Sequence, residues 1–291
     1  MEHTNWDEQL DYLMNTRDLF YNDDYLEFLV RSVWRINAPV RMIDYGCGYG
    51  YMGLKLLPLL PPGSTYTGVD LSEKLLDTAR QLYERLPYEA EFIHGDVNEI
   101  TLERSYDIAM CHALLLHVPD PELTLSRMIA SVADGGRIIC FEPHWMAHSS
   151  NMNLLGVDQS SIVPLGILQR LFERDARGSG RDGNIGVKVP ALLSRLGVRN
   201  IECRVSDKVV LIDPNMEEAK RASLYRSLKV DGVGVHPGHR GPFVERLIAR
   251  GLTSSEADRQ YAAEAELADR LTVDSYFASS AGMKITSGTV G

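Results

Sequence analysis

Two hydrophobic periods alternate along this chain, and the points where they change divide it into elements. Two helices are expected at the start, and the second is the clearer. Asn22 stands at its cap position, with Asp23, Asp24 and Glu27 at the electropositive end. Leu26, Leu29, Val30, Val33 and Trp34 then repeat at helical spacing and make one apolar face, which needs a partner in whatever follows Pro39. From Val40 the texture becomes short β-rich runs separated by amphipathic helices. Strands are expected over 40–45, 65–70, 91–94, 106–111, 137–142 and 200–212. One intervening helix shows Leu75, Leu76, Ala79, Leu82, Tyr83 and Leu86 on a single face. Another shows Leu125, Met128, Ile129 and Val132, entered through Asp120 as cap and Pro121 at the first helical position, and stopping at Asp134-Gly135-Gly136. Strands and helices alternating at this interval build βαβ units, hence an α/β fold with a mostly parallel sheet and helices on both faces.

The alternation lapses twice. Residues 143–186 hold a short helix on Leu165, Leu168, Leu171 and Phe172, followed by a glycine-rich loop over 177–186. A helix from Pro190 to Gly197 then leads into the sixth strand. Residues 213–271 read as three helices, with the glycine-rich loop 232–242 between the first two, and a last β-like segment starts at Val273. Insertions of this length in a compact domain are usually lids or binding elements.

Composition narrows the function classes. The 291 residues are 44% hydrophobic and 24% charged, the balance of a globular chain able to bury a full core. The formal net charge is −10 with no basic run, which argues against nucleic acid as a partner, because phosphate backbones are held by clustered Lys and Arg. Cys47, Cys111, Cys140 and Cys203 lie far apart and form no C-x-x-C pair, so a reducing, cytoplasmic setting is expected. The acidic start, MEHTNWDEQLD, is unlike a signal peptide, and no apolar run reaches bilayer length, so no membrane partner is expected.

The chemically informative stretch runs from Ile43 to Gly50, at the turn from the first strand into the first helix of the alternating region. Glycines there let the backbone turn sharply and approach a ligand at the helix N-terminus, at the sheet edge where α/β folds bind ligands. Two registers compete. Gly48, Gly50 and Gly53 satisfy the G-x-G-x-x-G dinucleotide fingerprint, which implies an NAD(P)-dependent oxidoreductase. That register leaves Tyr45-Gly46-Cys47 as an extension. The other, Asp44-x-Gly46-x-Gly48-x-Gly50, uses every small residue and puts an acid at the strand's end. It resembles the first motif of class I S-adenosylmethionine-dependent methyltransferases.

The resemblance continues over residues 40–142. It implies a Rossmann-like sheet of seven strands, with N-terminal helices and a helical insertion before the last strand. It also implies S-adenosylmethionine as cofactor. By its motifs Asp70, followed by Leu71, would accept both ribose hydroxyls, which suits a carboxylate's two acceptor oxygens. Asp96 would meet the adenine amino group, with Val97 against the ring. The stretch around His112 would approach the methionine part, and Asp44 the sulfonium or amino group, beside the turn of Gly46, Cys47, Gly48 and Gly50. Leu116-His117-Val118-Pro119-Asp120-Pro121 and Gly135-Gly136-Arg137 are similar to the small-molecule branch, as in the ubiquinone-biosynthesis-type methyltransferases. The matching division is 1–38 as N-terminal helical cover, 39–212 as cofactor-binding core, 213–272 as helical insertion on the lid or acceptor side, and 273–291 as the last core strand.

Each acid also has a plainer role as a helix or turn cap. On the acceptor side the candidate catalytic residues are His117, which either braces its loop or meets substrate, and Glu142 and His144, which follow the fifth strand on the active edge. His144 and His148 share H-x-x-x-H spacing, but Trp145 replaces the glutamate a zinc protease needs. His236 and His239 lack companions at metal spacing, so no metal is expected. Tyr12, Arg17 and Tyr21 either line the pocket or pack. A sulfonium methyl is already activated, so the expected mechanism is in-line displacement onto a small-molecule acceptor, with water excluded. No Ser-His-Asp set is required. A cofactor-binding, non-catalytic protein of the same fold is a further alternative. Acceptor identity and oligomeric state stay open.

Overall fold

The computed structural model describes residues 6–291 apart from Thr101. Most of the acidic first eleven residues is therefore described, but Met1 to Asn5 lie outside it. The main sheet contains β1 (Arg41–Tyr45), β2 (Thr65–Asp70), β3 (Glu89–His94), β4 (Tyr106–His112) and β5 (Val132–Glu142). A small second sheet contains β6 (Met152–Leu154), and β7 (Arg199–Val205) returns to the main one. After them come β8 (Val210–Ile212), β9 (Phe277–Ser279) and β10 (Lys284–Thr289). The main order is β3-β2-β1-β4-β5-β10-β7, and the second sheet is β6-β9-β8. β1 to β5 pair in parallel, while β10 runs antiparallel to both its neighbours. The expected seven-stranded, mostly parallel Rossmann-like sheet is present.

The period of two along the central strands builds two cores. Met42, Met110, Ile139 and Phe141 face a layer containing Leu26, Leu29, Leu75, Leu76 and Tyr83. Ile43, Tyr45, Ala109, Cys111, Ile138 and Cys140 face the opposite layer, with Leu125, Met128 and Leu193. The helices supplying these layers are α1 (Leu10–Thr16), α2 (Asp23–Phe28), α3 (Tyr51–Leu56), α4 (Glu73–Tyr83) and α5 (Pro121–Ser131). They are followed by α6 (Trp145–Ser150), α7 (Gln159–Ile162), α8 (Leu165–Ser179) and α9 (Val189–Arg195). The apolar face of α2 and the π-helical turn after it, Leu29–Val33, docks on the sheet as expected. Each fully buried leucine there contributes about 1.5–3 kcal/mol, so the N-terminal segment is firmly seated.

Four expectations change. Asn22 sits at the N-cap of α2, yet its side chain makes no capping bond and reaches Asp207 Oδ2 at 2.7 Å instead. α5 is capped by Asp120, which accepts from Leu123 N at 3.0 Å, but it ends at Ser131, not at the double glycine. Asp134-Gly135-Gly136 belongs to β5, as an irregularity between the Tyr106–Val132 and Ile108–Arg137 pairings. The strand expected over 200–212 is two strands in two sheets. The chain leaves β7 at Ser206, and β8 pairs with β9. The segment from Val273 likewise contributes one strand to each sheet.

The two lapses meet in space. α8 carries Ile167 and Leu171 into a satellite core with Phe243, Val244, Leu247, Leu252 and Ala257. Those five come from α11 (Arg240–Ala249), α12 (Ser254–Arg270) and the link between them, which follow α10 (Glu218–Val230). The insertion therefore has its own small core and sits against the segment after β5. No helix among the described residues is long and apolar enough to cross a membrane.

Gly53 marks the tightest junction between α3 and the sheet. A Cβ there would fall on the Tyr83 hydroxyl and within 2.7 Å of the Tyr66 ring. Those two rings stack at 5.5 Å, with Tyr66 bonded to Asp44 and Tyr83 to the Gly50 carbonyl. Gly53→Ala is expected to lower stability by about 1–3 kcal/mol, the scale of core overpacking, read as a reduced urea midpoint. An unchanged midpoint would contradict this packing.

Candidate active site

The site begins where β1 ends. The amides of Gly46 and Cys47 both donate to the Val69 carbonyl, at 2.8 and 3.0 Å, so the chain bends over β2 before α3 starts. Gly46, Gly48 and Gly50 have φ of +70°, +55° and +81°, a left-handed conformation that only glycine adopts without strain. A Cβ on Gly46 would also stand 2.8 Å from Leu114. Gly46 follows β1 directly, so every small residue of the longer register takes part in the bend.

Carboxylates fix this turn. Asp70 at the end of β2 accepts from Gly48 N at 2.7 Å through Oδ2 and from Ser72 N at 2.9 Å through Oδ1. Asp44 is 1% exposed. Its Oδ2 takes the Tyr66 hydroxyl at 2.7 Å, and its Oδ1 has no partner. Burial lifts its carboxyl to about 7, against the pull of the Tyr66 bond. Asp96 follows β3 and closes a short turn on Asn98 N at 2.8 Å, placing Val97 in the buried layer while Leu71 stays open.

β4 ends at His112, whose buried ring lies among Phe20, Tyr21, Tyr51 and Phe141. Its Nε2 has no partner, and burial, helped by Arg17, keeps the imidazole neutral. Ala113 then adopts φ +52°, an unusual left-handed turn for a residue with a Cβ, and swings the following loop over the cavity. Glu142 holds that loop: its Oε1 accepts from Leu114 N at 3.1 Å and Leu115 N at 3.0 Å. Burial raises the Glu142 carboxyl to about 7.

These elements surround one cavity of about 880 Å³. Asp44, Gly46, Cys47, Gly48, Asp70, Leu71, Asp96, Val97, His112 and His117 all line it. Gly50 shapes the turn from behind. His117 meets Trp6 edge-on at 4.8 Å and is pushed down to about 4 by burial, then by Arg181 and Arg17. Glu142 does not line the cavity. His144 lines a separate groove of about 720 Å³ with Met146 and Lys188. Arg17 lines the main cavity, whereas Tyr21 is packed in the core. Parts of the wall were not singled out from sequence, among them Tyr51 at the start of α3, Trp145, Arg181, and Arg250 from the insertion. Nothing in their spacing marks them, since docking of separate elements brings them together.

A family described as a methyltransferase domain matches residues 36–165, the span that contains the glycine turn, Asp70, Asp96, His112 and His117. These residues are a class I S-adenosylmethionine-dependent methyltransferase domain. Curated relatives match part of the chain. A ubiquinone biosynthesis O-methyltransferase of Aromatoleum aromaticum is 32% identical over 103 residues, 35% of this chain and 43% of that protein. An uncharacterized 37.1 kDa protein in transposon TN4556 of Streptomyces fradiae is 28% identical over 194 residues, 64% of this chain and 54% of that protein. The chain thus spans about half the length of the curated relatives it matches. A solved structure of a putative methyltransferase from Bacillus halodurans superposes with a TM-score of 0.50 at 13% identity, covering 92% of this chain and 98% of that one, which is a likeness of fold. The methyltransferase domain's cavity also fits the cofactor chemically. Asp44 and His112, whose Oδ1 and Nε2 are buried without a partner, line a cleft whose turn has no Cβ to block approach. A cationic, adenosine-bearing ligand satisfies such groups.

Proposed function

We propose that this protein transfers the methyl group of S-adenosylmethionine to a small-molecule acceptor by in-line displacement. The observation that carries this reading is the convergence of the glycine turn with Asp44, Asp70 and Asp96 on one wall of a single cavity. In it, Asp70 takes the ribose hydroxyls while bracing Gly48, and Asp96 and Val97 take the adenine. Asp44 takes the amino or sulfonium charge, and His112 lies along the methionine part. Bound there, the cofactor supplies a methyl carbon already activated by a sulfonium, with a neutral thioether as leaving group.

The protein's own residues have the remaining work of orienting the acceptor and excluding water. A cavity of about 880 Å³ stands at the large end of ligand pockets, which leaves space for a second molecule beside the cofactor. Aromatic faces from Trp6, Tyr49, Tyr51 and Trp145 suit a flat or apolar acceptor. Among the three acceptor-side candidates, His117 is placed to touch ligand, and Glu142 acts by holding the Leu114–Leu115 backbone. His144 belongs to the separate groove. The acidic surface and the free cysteines, three of them buried, support action on a small molecule in the reducing cytoplasm, without nucleic acid. Calorimetric titration is expected to show S-adenosylhomocysteine binding with micromolar affinity, on the order of −8 kcal/mol. Absence of binding heat for both the cofactor and its demethylated product would remove the proposal.

A further inference from the structure

Charge is unevenly divided over the wall of the main cavity. Three of its carboxylates, Asp44, Asp70 and Asp96, stand at or just after strand ends and form the cofactor wall. Among the described residues its guanidiniums are those of Arg17, Arg181 and Arg250, and none of them comes from the sheet. The charge of Arg17 acts on Asp44 and His112, so that residue belongs with the cofactor wall. Arg181 and Arg250 have another origin. Arg181 follows α8, and Arg250 stands at the C-terminal cap of α11 in the insertion.

Local packing fixes where these two arrive. A Cβ on Gly180 would stand 3.7 Å from Pro119 Cα, which sets the start of the loop against the segment that carries His117. The charge of Arg181 reaches that imidazole. Farther along, the Gly183 carbonyl accepts from Trp145 N at 2.9 Å, and a Cβ on Gly183 would fall 1.9 Å from the Trp145 ring. Arg181 therefore lies between a contact with Pro119 and a contact with Trp145, both lining residues. Arg250 donates through Nε to Asp175 Oδ1 at 3.2 Å and through Nη2 to Oδ2, which orients its guanidinium and leaves Nη1 to donate elsewhere. Its side chain is 43% exposed and Arg181 is exposed, so both stand where the cavity meets solvent.

We propose that the methyl acceptor carries an oxyanion, a carboxylate or a phosphate, which Arg181 and Arg250 hold at the cavity mouth while its apolar body lies against Trp145. The inference rests on the methyl-transfer reading above. On a chain of net charge −10, two guanidiniums at one cavity mouth outnumber the lining carboxylate beside them, Asp175, and draw anions to that end. A guanidinium fork matches the paired oxygens of a carboxylate or a phosphate. The indole supplies a flat apolar face next to it.

The test uses the full chain saturated with S-adenosylhomocysteine and titrated calorimetrically with 4-hydroxybenzoate, 4-hydroxyphenyl phosphate and the neutral 4-hydroxybenzamide. At least one anion is expected to bind about tenfold or more tightly than the amide, on the scale of a hydrogen bond to a charged group. The tighter of the two anions tells a carboxylic acid from a phosphate ester. Arg181→Gln and Arg250→Gln should each weaken that anion about ten- to a hundredfold. Both should leave the amide and S-adenosylhomocysteine binding as in the wild type. If a glutamine variant fails to fold, the lysine variant at that position keeps the charge and loses the fork, and should retain only part of the preference for the anion. Equal binding of amide and anions, no anion binding, or a preference intact in either folded position's variant overturns the assignment. So does an anion that binds only when S-adenosylhomocysteine is left out, since it then occupies the cofactor's place. Failure to bind S-adenosylhomocysteine at all removes the methyl-transfer reading instead.

Discussion

Asp70→Ala is expected to weaken S-adenosylhomocysteine binding by roughly 1–3 kcal/mol, or about five- to 150-fold, the scale of lost hydrogen bonds to a charged group. The same carboxylate holds the amides of Gly48 and Ser72, so part of the loss reflects a loosened turn. The ribose contact separates from that bracing through a cycle with the 2′-deoxy cofactor product. Wild type should prefer the ribose form, and Asp70→Ala should lose most of that preference. Unchanged affinity in a folded variant, or an intact preference, contradicts the ribose role.

The second large effect concerns pH and Asp44. Its folded-state carboxyl is raised to about 7 by burial, so below that pH it is mostly protonated and neutral. A cationic cofactor prefers the carboxylate. Affinity should therefore be full above about 7 and fall about tenfold for each pH unit below it. The cofactor's own α-amino group, with a pKa near 7.7–8.0 in the free state, loses its charge at higher pH, which places the optimum between about 7 and 8. Calorimetry near pH 6 in buffers of different ionisation enthalpy should show proton release on binding. In Asp44→Asn the acid limb should flatten and overall affinity should drop. A pH-independent affinity in the wild type between about 5.5 and 7.5 contradicts the placement of charge at this residue.

Legibility in the sequence followed locality. β1, β2 and β4 are mostly buried along their length, and each carries a cavity-lining residue at or next to its end: Asp44, Asp70 and His112. The cofactor wall was readable because turn and acids lie within a few residues of those strand ends. The second sheet was not. Its strands are three residues each, and β6 meets β9 across more than a hundred residues of chain, which leaves no period to detect. The strand-end position of Glu142 was legible, but the direction of its side chain was not. It turns to the Leu114–Leu115 amides because the kink at Ala113 brings them there. The acceptor side depends on docking. Arg17, Trp145 and Arg250 come from separate elements that approach one another only in the folded chain.

The most direct measurement is a crystal structure after soaking with S-adenosylhomocysteine and, separately, with NADH. The adenosyl ligand should occupy the bend after Tyr45, with its sugar against Asp70 and its base between Asp96 and Val97. An empty bend in the first crystal and a nicotinamide in the second would contradict the account.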